Sequence, residues 1–369
     1  MFFWRTTIKP LVAKLLGRAT QLTRAGKLLE ATTAIQRALG GKSSARAPAD
    51  DRPTIDADFR VVDASMGSYA RTKPNGSDRA VAGFTSGTYA TTAGSRQYKL
   101  FMPSGFAAQQ LPLVVMLHGC KQDPDDFAAG TRMNELAQER GVMVLYPAQA
   151  PRSNAYKCWN WFQPGDQHRG SGEPALLAGL TEHIIATQSV DAGRVYIAGL
   201  SAGGAMAAIM GREYPDLFAA VGVHSGLAPG SASDLGSAFA AMKNGAAGKA
   251  TRVTAASVVS RGAPIIVFHG DSDDTVHASN GVHVVGDRRG ASARDHKADA
   301  SGRRYSRRVF KATERHAEAE HWIIEGAGHA WSGGSTEGSY TDPQGPDASR
   351  EMLRFFLEHR RDQRTRAAA

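Results

Sequence analysis

The stretch Arg194-Val195-Tyr196-Ile197-Ala198-Gly199-Leu200-Ser201-Ala202-Gly203-Gly204 constrains the fold more than any other part of this 369-residue chain. A short apolar run leads without a break into Gly-Leu-Ser-Ala-Gly, and small residues follow at Ala205, Ala207 and Ala208. The run suits a strand buried on both faces. The small residues suit a helix lying close on a sheet. A strand that hands over to a helix so abruptly needs a sharp turn. Gly199 and Gly203 leave room where a Cβ would meet neighbouring backbone, and Ser201 at the apex projects its hydroxyl from the sheet edge. This is the G-x-S-x-G elbow in the setting it requires. The helix starting at Ala202 also aims its positive end at that point, which favours developing negative charge. The competing reading is a Gly-rich turn with no chemical role.

From about residue 90 the same alternation recurs. Expected strands are Tyr98–Met102, Pro112–Leu117, Val142–Tyr146, Arg194–Ala198, Ala220–His224, Ile265–His269 and Trp322–Glu325. Expected helices lie near Phe127–Arg140, Glu173–Gln188, Ala202–Tyr214 and Asp347–His359. Strands alternating with helices predict a mostly parallel central sheet with helices on both faces, the α/β-hydrolase arrangement. Residues 227–262 and 281–310 are rich in Gly, Ala, Ser and charge, and read as lid or rim segments.

In this fold the partners of the serine follow in the order acid, then histidine. The strand ending at Phe268 runs into His269-Gly270-Asp271-Ser272-Asp273-Asp274-Thr275-Val276. Three aspartates compete there; the spacing HG-x-x-D-x-x-V picks Asp273 over Asp274 and Asp271, which can serve as turn formers. Gly326-Ala327-Gly328-His329 places His329 on a pliant loop after the last strand, in reach of the serine. His224, His269, His277 and His321 read as structural or surface histidines. An oxyanion hole needs two backbone N–H groups. Ala202 supplies one, and the loop His118-Gly119-Cys120 supplies the other through the amide of Cys120. The opposing reading makes Cys120 a thiol nucleophile.

The rest of the chain adds boundaries. Residues 1–56 read as a basic helical arm and linker, and 57–369 as the catalytic domain, with its core at about 90–359. Within the arm, residues 8–40 are basic and amphipathic. They suit contact with a membrane, granule or lipid-like polymer surface, or packing on their own domain or a partner. The formal net charge is +9, but the excess sits at the two ends and in Arg303, Arg304, Arg307 and Arg308, read as a solvated loop. No stripe of basic and aromatic residues points to nucleic acid. The two cysteines, Cys120 and Cys158, lack metal-ligand spacing, so no metal and no cofactor are expected. Lys9, Lys14 and Arg18 interrupt the early apolar residues, so no export signal is recognisable.

The stretches His118-Gly119-Cys120-Lys121-Gln122, Cys158-Trp159-Asn160-Trp161-Phe162, Gly199–Gly204, Gly222-Val223-His224-Ser225-Gly226, His269–Asp273 and Gly328-His329-Ala330-Trp331-Ser332-Gly333-Gly334 resemble the poly(3-hydroxybutyrate) depolymerase family of esterases. The match covers about residues 90–356. The resemblance implies an α/β-hydrolase whose Ser201, Asp273 and His329 hydrolyse polyester or oligoester bonds. It also implies that Cys120 and Cys158 lie close together, as a disulfide or as two reduced core cysteines. Trp159, Trp161 and Trp331 are expected either to offer an apolar chain a flat surface or to pack in the core. Feruloyl or acetylxylan esterase activity is the alternative. A silent, surface-binding member is a third reading, which the intact Ser, Asp and His disfavour. The resemblance points outside the cell, while the missing export signal leaves the cytoplasm open. The chain stops soon after His329, so no C-terminal polymer-binding domain is expected.

Overall fold

Among the described residues, ten strands pair into one sheet, in the order β1-β2-β4-β3-β5-β6-β7-β10-β9-β8. In chain order the elements are β1 (Gly83–Thr91), β2 (Gly94–Met102), β3 (Leu111–Leu117), α1 (Pro124–Thr131), α2 (Met133–Arg140), β4 (Met143–Pro147), α3 (Gly172–Thr187), β5 (Val190–Leu200), α4 (Ala202–Glu213), β6 (Ala220–His224), α5 (Leu235–Asn244), β7 (Ile265–Gly270), α6 (Ser279–Val285), β8 (Ala293–Asp299), β9 (Arg304–Phe310), β10 (Ala319–Ile324), β11 (Trp331–Ser332), β12 (Thr341–Asp342) and α7 (Ala348–Leu357). The computed structural model describes residues 83–91, 94–106, 109–245, 262–286, 288, 293–299, 302–314 and 316–361. The basic arm, the segment up to residue 82, residues 246–261 of the first excursion and the tail from 362 lie outside the described residues.

The six central strands, β4-β3-β5-β6-β7-β10, run parallel. The strands outside them pair antiparallel. Parallel strands need both faces covered, and the alternation of side chains divides the core in two. Leu113, Val115, Leu117, Val195 and Ile197 face Leu177 and Leu180 of α3 and Met206 and Ile209 of α4. Val114, Met116, Tyr196 and Ala198 face Phe127 of α1, Leu136 of α2, and Phe355 and Phe356 of α7. The α/β-hydrolase architecture is therefore the observed one.

Three expectations need correction. The helix read at Phe127–Arg140 is two helices, because Arg132 between them takes the left-handed conformation at φ 52° and Thr131 bends its hydroxyl onto the Phe127 carbonyl. Residues 281–310 do not form only a rim; they hold most of α6 and the strands β8 and β9, which extend the sheet. The arginines read as a solvated loop lie at or on β9. Arg307 pairs with Glu320 at 2.7 Å and lies over the Trp322 ring, and Arg303 pairs with Asp342. A strand with arginines on both faces hides the alternation that sequence reading depends on.

Candidate active site

In the parallel strands, Leu117 pairs with Gly199, Leu200 with His224, His224 with Phe268, and Phe268 with Trp322. The carboxyl ends of β3, β5, β6, β7 and β10 therefore line one edge of the sheet. The loops that carry Cys120, Ser201, Asp273 and His329 all leave from that edge.

Ser201 sits at φ 57° and ψ −118°, outside the comfortable regions for a residue with a Cβ. Its amide donates to the His224 carbonyl at 2.8 Å, and its carbonyl accepts from the Ala205 amide at 2.9 Å, which starts α4. The flanking glycines are steric necessities. A Cβ on Gly199 would come 2.4 Å from the Gly203 backbone, and one on Gly203 would come 2.1 Å from the Leu117 carbonyl oxygen.

The loop after β7 separates its three aspartates. Asp273 is buried, and its Oδ2 accepts from His329 Nδ1 at 2.7 Å. Its Oδ1 accepts the amides of Thr275 and Val276 at 2.9 and 2.8 Å. His269 Nε2 lies 2.8 Å from the Val276 carbonyl and 3.5 Å from Asp273 Oδ2, so the carbonyl is its main acceptor. Burial alone would raise the Asp273 carboxyl. The His269 and His329 rings and the Val276 amide outweigh it and hold the group well below the usual carboxylate range. Asp271 instead accepts the Gly326 amide at 2.7 Å, and Asp274 is exposed. Two further bonds stitch the Asp273 loop to the segment that leads to His329: Asp271 N–H to the Ile324 carbonyl and Ser272 N–H to the Ala327 carbonyl, both 3.1 Å.

The loop after β3 is held from several directions. His118 Nε2 accepts the Gln149 amide at 3.1 Å, so its proton sits on Nδ1, which donates to the Gly119 carbonyl at 2.8 Å. Burial pushes the ring pKa down to about 4, which keeps it neutral. In a trans peptide the C=O and N–H point in opposite directions. Fixing the Gly119 carbonyl therefore turns the Cys120 N–H the other way. Among the described residues, neither the Cys120 nor the Ala202 amide donates a hydrogen bond. Gln122 ties the loop down further. Its Oε1 takes the Gly119 amide at 2.9 Å and its Nε2 reaches Asp126 at 2.8 Å and the Ser339 carbonyl at 3.1 Å.

Cys120 and Cys158 are joined by a disulfide, with Cα atoms 4.2 Å apart. The Cys158 loop hangs on a buried polar network that sequence reasoning missed. Gln149 Nε2 donates to the Cys158 carbonyl at 2.8 Å, and Glu173 Oε2 accepts the Asn160 amide at 2.8 Å. Arg96 stands 3.6 Å from Glu173 and donates to Gln149, which donates to Glu173. These residues lie far apart in the chain, so no local spacing announces them.

The tryptophans are not a surface. Trp159, Trp161 and Trp331 are only 0%, 5% and 1% exposed. Trp159 Nε1 donates to the His118 carbonyl at 3.0 Å, and Trp331 Nε1 donates to Ser349 Oγ at 3.0 Å. The expectation that they offer substrate a flat platform is corrected to core packing beneath the site. Exposed aromatic area near these loops comes instead from Tyr156 and Tyr340.

Six non-glycine residues among those described have positive φ. Lys121, Lys157, Ser201, Ser225 and Tyr340 fall in the elbow or in loops tied to it, and only Arg132 stands apart. Strain held in one place is a mark of a working site. Among the described residues no group of three or more His, Cys, Asp or Glu is arranged to hold a metal ion, and no helix is long and apolar enough to cross a membrane.

The family model described as esterase PHB depolymerase matches residues 96–304. Poly(3-hydroxyalkanoate) depolymerase C of Paucimonas lemoignei is 33% identical over 249 residues, covering 65% of this chain and 60% of that protein. Feruloyl esterase B of Neurospora crassa is 34% identical over 117 residues, covering 31% of this chain and 39% of that protein. Among solved structures, an acetyl xylan esterase from Aspergillus awamori aligns at a TM-score of 0.49 and 19% identity, over 63% of this chain and 89% of the other.

Proposed function

Because the chain belongs to the esterase PHB depolymerase family, we propose that it is a carboxylic ester hydrolase that cleaves short-chain poly(3-hydroxyalkanoates) or their oligomers through Ser201, Asp273 and His329. The observation that carries this reading is the 2.7 Å bond between Asp273 and His329, on the same sheet edge as the strained Ser201 elbow.

The steps follow from the groups present. Asp273 holds His329 with its proton on Nδ1, which leaves Nε2 free to take a proton from Ser201. The serine oxygen attacks the ester carbonyl, and the amides of Cys120 and Ala202 receive the oxyanion. His329 then protonates the departing alcohol. Water repeats the sequence on the acyl-enzyme and releases the hydroxy acid. The low pKa of Asp273 keeps it ionised throughout, so it stabilises the imidazolium rather than taking the proton.

Likeness to feruloyl and acetylxylan esterases supports a second substrate class with the same chemistry. The test is release of 3-hydroxybutyrate and its oligomers from amorphous poly(3-hydroxybutyrate), wild type against Ser201→Ala. Release by the wild type alone is expected. Ser201-dependent cleavage of a short p-nitrophenyl ester without polymer release would move the substrate to feruloyl or acetylated-sugar esters.

A further inference from the structure

We infer that His224 is a positioning residue that sets the base-bearing loop against the nucleophile through its main chain on one side and its ring on the other. The inference rests on the triad proposed above. His224 ends β6, between the strands that deliver Ser201 and Asp273, and is fully buried. Its carbonyl accepts the Ser201 amide at 2.8 Å. Its Nε2 accepts the Ser332 amide at 3.0 Å, three residues beyond His329.

The surroundings leave this ring one working state. An Nε2 that accepts must be unprotonated, so the proton is on Nδ1, which donates to Ser225 Oγ at 3.2 Å. Burial, with His269 and His329 beside it, lowers the pKa of the ring to about 3. The imidazole is therefore neutral wherever His329 is needed as a base. It stacks on Trp331 with ring centroids 5.1 Å apart and on Phe268 at 5.8 Å.

Strand β11 shows what the contact does. The amides of Trp331 and Gly333 donate to Tyr340 and Asp342, toward β12. The Ser332 amide points the opposite way, onto His224. Short β11 thus has its main chain bonded to β12 at one edge and to the His224 imidazole at the other. That imidazole belongs to the residue whose carbonyl holds the nucleophile's amide. An apolar side chain would leave the Ser332 amide buried without an acceptor and cut the polar tie between the His329 loop and the residue whose carbonyl holds Ser201, leaving that loop to the Ser332 Oγ bond to Pro346 and the Trp331 Nε1 bond to Ser349.

The experiment compares His224→Gln, His224→Leu and His224→Phe on a soluble p-nitrophenyl ester, with Ser201→Ala and His329→Ala in the same assay. Gln places an amide oxygen near the Nε2 position, Leu removes the acceptor, and Phe keeps the stack without it. Misplacement of a catalytic group by about 1 Å costs on the order of 100-fold. His224→Leu and His224→Phe are therefore expected to lower kcat by about 10- to 100-fold with KM within about two-fold, and His224→Gln to recover most of the loss. The low-field proton resonance of the His329–Asp273 bond should move in the Leu and Phe variants and hold in Gln. Wild-type kcat in His224→Leu, or equal losses in all three with the resonance unmoved, overturns the inference. If Leu and Phe fail to fold, nitrogen NMR of the wild type decides: a protonated Nε2 on His224 overturns it, and an unprotonated Nε2 coupled to the Ser332 amide supports it. Activity surviving Ser201→Ala or His329→Ala would instead remove the triad, a separate failure.

Discussion

Asp273 Oδ2 stands 2.7 Å from His329 Nδ1, and the carboxylate that makes this bond is the middle one of three crowded into four residues. Its neighbours do other work: Asp271 accepts the Gly326 amide, and Asp274 is exposed. Asp273→Asn keeps the shape but lets the ring settle in the wrong tautomer. Its kcat should fall by about 10⁴-fold, the loss seen when a serine protease triad loses its acid. Asp274→Asn should stay within about two-fold of wild type, as surface changes away from such features usually do. Steady-state kinetics on a soluble ester separates them, and a larger loss in Asp274→Asn would reassign the acid.

The disulfide offers a second test, because it closes a 38-residue separation and joins the loop of the Cys120 amide to that of Trp159. Loop-closure entropy gives about 4 kcal/mol for a ring of this size. Replacing both Cys120 and Cys158 by Ala should lower the unfolding free energy by about that much, read from urea melts. Turnover should fall yet stay far above that of Ser201→Ala, because the proposed donor is an amide that alanine also carries. Loss of turnover to the Ser201→Ala level in a folded double variant would mean that the oxyanion loop holds its working position only while the disulfide is in place.

What the sequence disclosed here was local. The elbow was legible because only glycines fit beside the Leu117 carbonyl, and the loop position of His329 because Gly326-Ala327-Gly328 follows a strand. The central strands were legible as short apolar runs. Strand β9 was not, because Arg304, Arg307 and Arg308 break its apolar character and find their contacts only in the folded sheet. Trp159, Trp161 and Trp331 resisted for the opposite reason. An indole near a site reads alike as platform or core until burial is known. His224 showed as a structural or surface histidine in the stretch Gly222–Gly226, but its link between Ser201 and Ser332 did not, since both partners are distant in the chain.

The buried pair of Arg96 and Glu173 tests how the Cys158 loop is held. Both side chains are almost wholly buried, and Glu173 also takes the Asn160 amide. Burial raises the Glu173 carboxyl and lowers the Arg96 guanidinium, and each partner opposes the other's shift. Removing one member leaves an uncompensated buried charge, which costs about 3–5 kcal/mol. Glu173→Ala should lose about that much in urea unfolding, and Arg96→Met with Glu173→Met should recover part of it. A Glu173→Ala variant as stable as wild type would mean that the network does not hold the loop.

The buried histidines set the response to acid. Burial lowers His118 to about 4, His224 to about 3 and His321 to about 4, from an ordinary value of 6.5. Between those values and 6.5 the unfolded chain binds protons that the folded chain refuses. Stability therefore falls as pH drops through this window. Asp273 acts elsewhere. Its folded pKa is depressed, so its contribution is present above 3.8, the unfolded value, and is lost only as pH falls through the lower folded value. Urea unfolding from pH 7 to pH 4 should show a loss to which each histidine contributes about one proton taken up on unfolding, offset toward the acid end by Glu173 and Asp166, whose folded pKa values are raised and which therefore take up protons in the folded state first. In His118→Gln the slope should drop by about one proton over the same range. A stability that is flat from pH 6.5 to pH 4 would mean that these rings take up protons in the folded state, and that the neutral His118 holding the Gly119 carbonyl is not the state present.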